Sequence, residues 1–269
     1  MTYQEAARVK TVADLRAAIR DGAFTGHTAG LAPGKLQCNI AILSAEHAID
    51  FLRFCLRNPK PCPIVGIAET GDPALPTLGP DIDIRHDLPR YRLYREGRFV
   101  EEVTDIAAHW RDDMVSVALG CSFTFERALM AAGIPMRHVE QDLTVPMYRT
   151  NLPLVSGGPF GGTMVVSMRP LRGQDVPRAV EICARYPLAH GAPVHVGDPG
   201  AIGIAALQRP DWGDPVPVTA DEVPVFWACG VTSQNALLSA GIPLVITHAP
   251  GHMLISDIDE TAETPIWKP

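Results

Sequence analysis

No stretch of this chain stays apolar for the ~18 residues that a membrane helix needs, and no basic tail or Lys/Arg run is present. A net charge of −7 therefore argues against nucleic acid as a partner, and no membrane association is expected. The N-terminal segment MTYQEAARVKTVADLRAAIR reads as an amphipathic helix with both charge signs. It lacks the apolar core and cleavage site of a secretory signal, so the expected location is the cytoplasm. There is no C-x-x-C pair: the six cysteines stand at 38, 55, 62, 121, 183 and 229 without a repeating interval. They read as free thiols and not as a disulfide framework. The glycine-rich run Ser156–Gly162 (SGGPFGG) has no following Lys-Ser/Thr and is not G-x-G-x-x-G, so it reads as a flexible connection.

What remains is an ordinary globular composition, 46% hydrophobic and 20% charged over 269 residues, with 25 Pro and 23 Gly dispersed along it. Ser44 is placed to cap a helix over 45–57, with Ala45, Ala48, Ile49, Leu52, Cys55 and Leu56 on its apolar face. Asn58-Pro59 ends it. Residues 63–68 (PIVGIA) form a short apolar run expected of a buried parallel strand. Residues 71–90, rich in Pro and Asp, predict a long surface connection. Residues 91–95 and 99–103 flank Glu96-Gly97 as a hairpin, and Thr104 begins a short helix running to about Arg111. Further strands are predicted at 114–119, 163–168, 223–227 and 243–247. Helices are predicted at 123–132, 174–185 (stripe Val176, Val180, Ala184) and 231–240, and the tail after about 258 reads as peripheral.

The chain repeats itself. Residues 115–135, VSVALGCSFTFERALMAAGIP, and 223–243, VPVFWACGVTSQNALLSAGIP, are identical at ten of 21 positions without a gap, where composition alone gives ~1–2 matches. Each copy reads as a strand, a turn at Cys121 or Cys229, a helix, and a glycine cap (Gly133, Gly241) before Ile-Pro. The expectation is an α/β fold. A three-layer α/β/α domain with a mainly parallel sheet spans residues 1–135 and 223–269, and a smaller two-layer α+β unit spans 136–222. Ligands bind beyond the carboxyl ends of such strands, where both repeated cysteines would sit at helix N-termini. Cys121 and Cys229 are accordingly candidate catalytic thiols facing one cleft, with Ser122 and Thr232 as neighbouring hydroxyls.

Other candidates follow from side-chain chemistry. His248, after the last predicted strand, is a candidate acid/base, and His252, His195 and Gln37 with Asn39 are candidate substrate contacts. Together His190, His195, Asp198, His248 and His252 are a candidate divalent-metal set, although their spacing fits no standard zinc pattern, so no cofactor is assigned. Tyr148-Arg149-Thr150-Asn151 joins a phenol, a guanidinium and an amide, with Arg149 suited to a substrate carboxylate.

The ordered motifs TAGLAPGKLQCN, FCLRNPKPCP, GCSFTFE, MYRTN, MVVSMRP, HGAPVHVGDP, FWACGVTSQ and THAPGHM resemble the D-glutamate cyclase family, whose bacterial members are labelled hydro-lyases. The resemblance runs from about Thr28 to Asp257 and departs from the family pattern at Cys38, where an alanine usually stands. It implies a hydro-lyase acting on a small amino or hydroxy acid, with loss of water from D-glutamate to give 5-oxo-D-proline as the named reaction. The implied partner is a small acidic molecule, and a homo-oligomer is compatible with it. Two alternatives stand beside that reading: a racemase or epimerase using the cysteine pair, and a non-catalytic binder of a small acid.

Overall fold

The computed structural model describes residues 1–262. In chain order the elements are α1 (Tyr3–Ala6), α2 (Val12–Arg20), β1 (Lys35–Ser44), α3 (Ala45–Arg57), β2 (Ile64–Ile67), β3 (Tyr91–Arg95), β4 (Arg98–Val103), β5 (Met114–Gly120), α4 (Phe123–Ala131), α5 (Arg137–Glu140), β6 (Met147–Pro153), β7 (Thr163–Arg172), α6 (Val176–Ala184), β8 (His195–Val196), β9 (Glu222–Ala228), α7 (Val231–Ser239), β10 (Val245–His248) and β11 (Leu254–Asp259). Between β4 and β5, the expected short helix is a single 3₁₀ turn, Ala107–His109.

These strands form two sheets. The first has the order β2-β5-β1-β10-β3-β4, with β11 pairing the start of β1. The second has the order β6-β7-β9-β8. Every paired strand is antiparallel, which corrects the expected parallel sheet. The reason is local: a short run of buried apolar residues marks a strand covered on both faces, and carries no information about direction. Residues 223–227 are a strand as expected, but they pair with β7 in the second sheet and do not lie beside β5.

The repeat explains the architecture. In the first sheet β5 lies between β2 and β1, and β10 flanks β1; in the second, β9 lies between β8 and β7, and β6 flanks β7. The chain thus runs twice through one plan: β1-α3-β2-β5-α4-β6, with the β3–β4 hairpin inserted, and then β7-α6-β8-β9-α7-β10. Each half gives its last helix and strand to the other half's sheet. Phe125 and Leu129 of α4 pack with α6 against Leu171, Val225 and Trp227 of the second sheet. Ala236 and Leu237 of α7 pack with α3 against Leu43, Val115, Val117 and Val245 of the first. Both repeated helices end at a glycine in the left-handed region, Gly133 at φ +79° and Gly241 at φ +61°.

The expected three α/β/α layers are also corrected. Helices cover one face of the first sheet, but an irregular segment covers the other: Leu75, Leu78, Ile82, Ile84 and Leu88 pack onto Leu36, Ile40, Val65, Leu93 and Ile246. Residues 71–90 are therefore core as well as connection, because prolines and aspartates set the turns while aliphatic residues between them point inward. The second sheet is finished the same way, with Ile202 and Ile204 on Tyr148, Val166, Met168 and Phe226. On α3 the buried face is Ala48, Phe51, Phe54 and Cys55, while Ile49 and Leu56 are exposed. On α6 it is Ala179 and Cys183, one position off the expected stripe. Of the expected peripheral tail, residues 263–269 lie outside the described residues, whereas Glu260 is buried against Arg127.

Candidate functional site

The two crossovers meet where the sheets adjoin. Cys121 ends β5 and Cys229 ends β9, and both are buried at 7% exposure. Burial pushes the Cys121 thiol up to about 12, and Cys229 is near enough to raise it further. Burial also pushes Cys229 up. Each sulfur accepts a backbone N–H from two residues ahead, Phe123 for Cys121 and Val231 for Cys229, which pulls modestly the other way. Both thiols are therefore protonated at neutral pH. Cys38, on β1, is a third thiol beside Cys121, raised by burial.

β1 supplies the neighbouring floor. The Asn39 amide donates to Gly120 O at 3.0 Å, and a side chain at Gly230 would run into that amide. Gln37 donates to Thr28 O and Leu31 O, at 2.9 and 3.0 Å, and its own Oε1 is buried without a partner. Thr28 in turn bonds Gly251 and Met253, so the 26–34 and 249–253 loops are tied together beside β1. His248 lies opposite Ile40, with Nδ1 3.2 Å from the Ile40 nitrogen and 3.5 Å from its carbonyl oxygen, and with Nε2 3.5 Å from the Gln234 amide nitrogen. Burial lowers His248 to about 4, so the ring is neutral at pH 7. Thr232 fastens α7 to β7: its hydroxyl accepts from Val165 N–H and donates to Val165 O. Ser122 is buried at the start of α4.

Other sequence candidates go elsewhere. Arg149 is on β6, the outer strand of the second sheet, 3.5 Å from Asp211 and stacked over Trp212. Its neighbours Tyr148, donating to Leu207 O and pushed to about 12 by burial, and the exposed Asn151 belong to that same strand. The structure does not bring these three to the thiols, because the crossover through α4 carries β6 to the far edge of the pair β7–β9. His195 sits on β8, bonded to Asp198 O at 2.7 Å and tilted against Phe226. The His252 ring donates to Pro250 O at 2.8 Å and is lowered by burial. Among the described residues no three His, Cys, Asp or Glu gather as metal ligands, so the candidate metal set is dispersed. An open groove between α4 and α6, lined by Arg127, Arg178, Glu181, Arg185 and Tyr186, contains none of the residues the sequence singled out.

Sequence reasoning missed the cation that the thiols do feel. Arg169 of β7 is buried, clamps Glu126 of α4, donates to Ser167 Oγ at 2.9 Å, and lies between the rings of Phe125 and Trp227 at 5.1 and 5.2 Å. Despite burial, Arg169 and His138 hold the Glu126 carboxyl down to about 2. His138 Nε2 is 3.1 Å from Glu126 but lacks hydrogen-bond alignment. Arg169 also lowers both Cys121 and Cys229 against their burial. The signal was an arginine inside an apolar strand, MVVSMRP, which burial makes expensive unless it is paired.

The model of the D-glutamate cyclase family matches residues 115–257, which contain both crossovers. A protein of Jannaschia sp. (strain CCS1) named "Putative hydro-lyase" is 66% identical over 256 residues, covering 95% of this chain and 96% of that protein. Proteins of the same name from Dinoroseobacter shibae and Rubrobacter xylanophilus are each 59% identical, over 97% and 91% of this chain and 87% and 95% of their own. Among solved structures, a nitrogen repressor-like protein from Methanococcus jannaschii overlaps at a TM-score of 0.39 with 12% identity, too slight a likeness to bear on function. By its family match and its full-length relatives, the chain belongs to the D-glutamate cyclase family.

Proposed function

We propose that the protein is a hydro-lyase that removes water from a small amino or hydroxy acid, with D-glutamate as first substrate and 5-oxo-D-proline as product. The observation that carries this reading is the meeting of Cys121 and Cys229, delivered from two sheets by the internal repeat, with the neutral ring of His248 held at Ile40, next to the Asn39 that touches both crossovers. Ring closure has definite demands. The ammonium must lose a proton before its nitrogen attacks the γ-carboxyl carbon, and the departing oxygen must be protonated. The two protons shed by nitrogen are the two that leave with oxygen as water, so the reaction needs no redox partner.

The raised thiol pKa values favour a proton-donating role for the cysteines over a resting thiolate nucleophile. Backbone amides at the starts of α4 and α7 are suited to the charge that develops on the tetrahedral intermediate. The same resting thiols disfavour the racemase reading, which needs one cysteine deprotonated.

Proton NMR of the protein with D-glutamate, beside an EDTA-treated sample and the Cys121→Ser and Cys229→Ser variants, tests the proposal. The expected result is 5-oxoproline from the wild type, with or without EDTA, and a rate reduced ~100-fold or more in at least one cysteine variant. Solvent deuterium appearing at Cα without ring closure would replace this reading with racemisation. A folded wild type that binds D-glutamate without turnover would replace it with a binding role.

A further inference from the structure

His190 carries three separate costs that packing alone does not require. Its backbone lies at φ +74°, a left-handed conformation that costs a non-glycine residue about 1 kcal/mol. Its ring is buried at 1% exposure. Among the described residues its Nε2 has no partner, although a buried acceptor left unpaired is itself unfavourable. Strain, burial and an open hydrogen-bond position converging on one titratable group mark a functional residue more often than a structural one.

The surroundings say what the group can do. Nδ1 lies 2.8 Å from Lys60 O, so the ring proton is fixed there and the lone pair is on Nε2. Burial lowers His190 to about 4 against the Lys60 hydrogen bond, and the charges facing it, Arg169 and Lys60, push the same way. The lone pair is therefore present at neutral pH. The 3₁₀ turn Pro187–Ala189 leading into His190 is seated on the end of β5: a side chain at Gly120 would collide with Leu188 O, one residue before Cys121. Arg169 is felt by His190, Cys121 and Cys229 alike.

We propose that His190 is the proton acceptor of the thiol site. The inference rests on that site being the reactive one. A substrate ammonium passes one proton to Nε2 while Nδ1–H stays on the Lys60 carbonyl. The freed lone pair forms the N–C bond, and the departing oxygen takes that proton together with the second one shed by nitrogen. The C–O bond breaks, water leaves, and His190 returns to neutral.

The test uses His190→Gly, which relieves the left-handed strain and leaves a ring-sized space, and His190→Asn, which tolerates the same backbone. Both are checked for folding by circular dichroism and thermal unfolding. Expected is a kcat ~100-fold or more below wild type in both variants. KM should be little changed, and added imidazole should restore turnover at least tenfold in His190→Gly alone. A folded His190→Gly within threefold of wild type, or one that imidazole does not rescue, overturns the proposal. If the wild type does not cyclise D-glutamate, the function proposed above fails first, and His190 is then judged by ¹⁵N NMR of its ring. A bare Nε2 that shifts when a small amino or hydroxy acid binds supports it, and an Nε2 that is protonated or indifferent to all of them overturns it.

Discussion

The two crossovers are built on one plan, yet they are finished differently. At Cys229 the chain is fastened to its neighbouring strand: Cys229 N–H donates to Val165 O at 3.0 Å, and Thr232 takes both backbone groups of Val165. At Cys121, one repeat earlier, Thr124 occupies the place of Thr232 with its hydroxyl buried and unpartnered, and Gln37 of β1 is left with a bare Oε1. Further along, Glu126 stands where Gln234 does, and each has a histidine beside it, His138 at 3.1 Å and His248 at 3.5 Å. Only Glu126 has an arginine. One half is thus locked by charge in its helix and open at its turn, while the other is closed at its turn and uncharged in its helix. Duplication gives two equivalent frames, and divergence of a few polar residues turns one into scaffold and leaves unsatisfied polar groups at the turn of the other.

The largest effect should come from unbalancing the charged half. Arg169→Met leaves Glu126 buried without its counterion and should cost about 3–5 kcal/mol in urea unfolding, whereas Gln234→Met in the uncharged half should cost far less. A cost below 1 kcal/mol for Arg169→Met would mean that the two halves are not differently held. Gly120→Ala should come next. The equivalent position is Ala228, which is tolerated, but a methyl group at Gly120 meets the Leu188 carbonyl and should cost about 1–3 kcal/mol. The turns themselves are then compared. Thr232→Val orphans the Val165 N–H and removes one of the two donors to Val165 O, and should cost about 1–3 kcal/mol, while Thr124→Val, removing a hydroxyl that bonds to nothing among the described residues, should be neutral or slightly stabilising. Equal costs would erase the asymmetry.

The subtlest test is pH. His190 and His248 fall from an ordinary 6.5 to about 4 on folding, so between those values the unfolded chain binds more protons than the native one. Their stabilisation is complete above pH 6.5 and is lost as pH falls toward 4. Glu126, held near 2 from an ordinary 4.5, adds a second loss between 4.5 and 2. Urea midpoints across pH 8 to 3 should decline in both windows. Glu126→Gln should flatten the lower window and leave the upper one, which belongs to the two histidines.

Much of this was readable in the chain, for particular reasons. Helix α3, the β3–β4 hairpin, and the strand-turn-helix copies at Cys121 and Cys229 follow from apolar periodicity, Glu-Gly and Gly-Ile-Pro, all of which act locally, whereas Ser44 stands at the start of α3 without a side-chain capping bond. The repeat also drew attention to the two cysteines. Strand direction was not legible, nor the exchange of α4 and α7 between sheets, because both depend on partners distant in sequence. The arginines show the limit most clearly. Arg149, in a polar stretch, reads as available and lies on Asp211 and Trp212, whereas Arg169, in an apolar stretch, attracts no reading of its own and is the cation the thiols feel. Composition around a residue reports burial, and burial does not say which group the residue serves.

The exchange of final elements has a consequence for how the chain is made. β1 leaves the ribosome long before its partner β10, which pairs Ala41 with Thr247, so that edge stays open until the residues around Thr247 have emerged. Loops of this length close slowly, and an open strand edge is a template for pairing with other chains. The first sheet cannot be completed by the first half, nor the second sheet by the second half, so the two should form and melt together in one cooperative transition, with the N-terminal half dependent on protection while it waits.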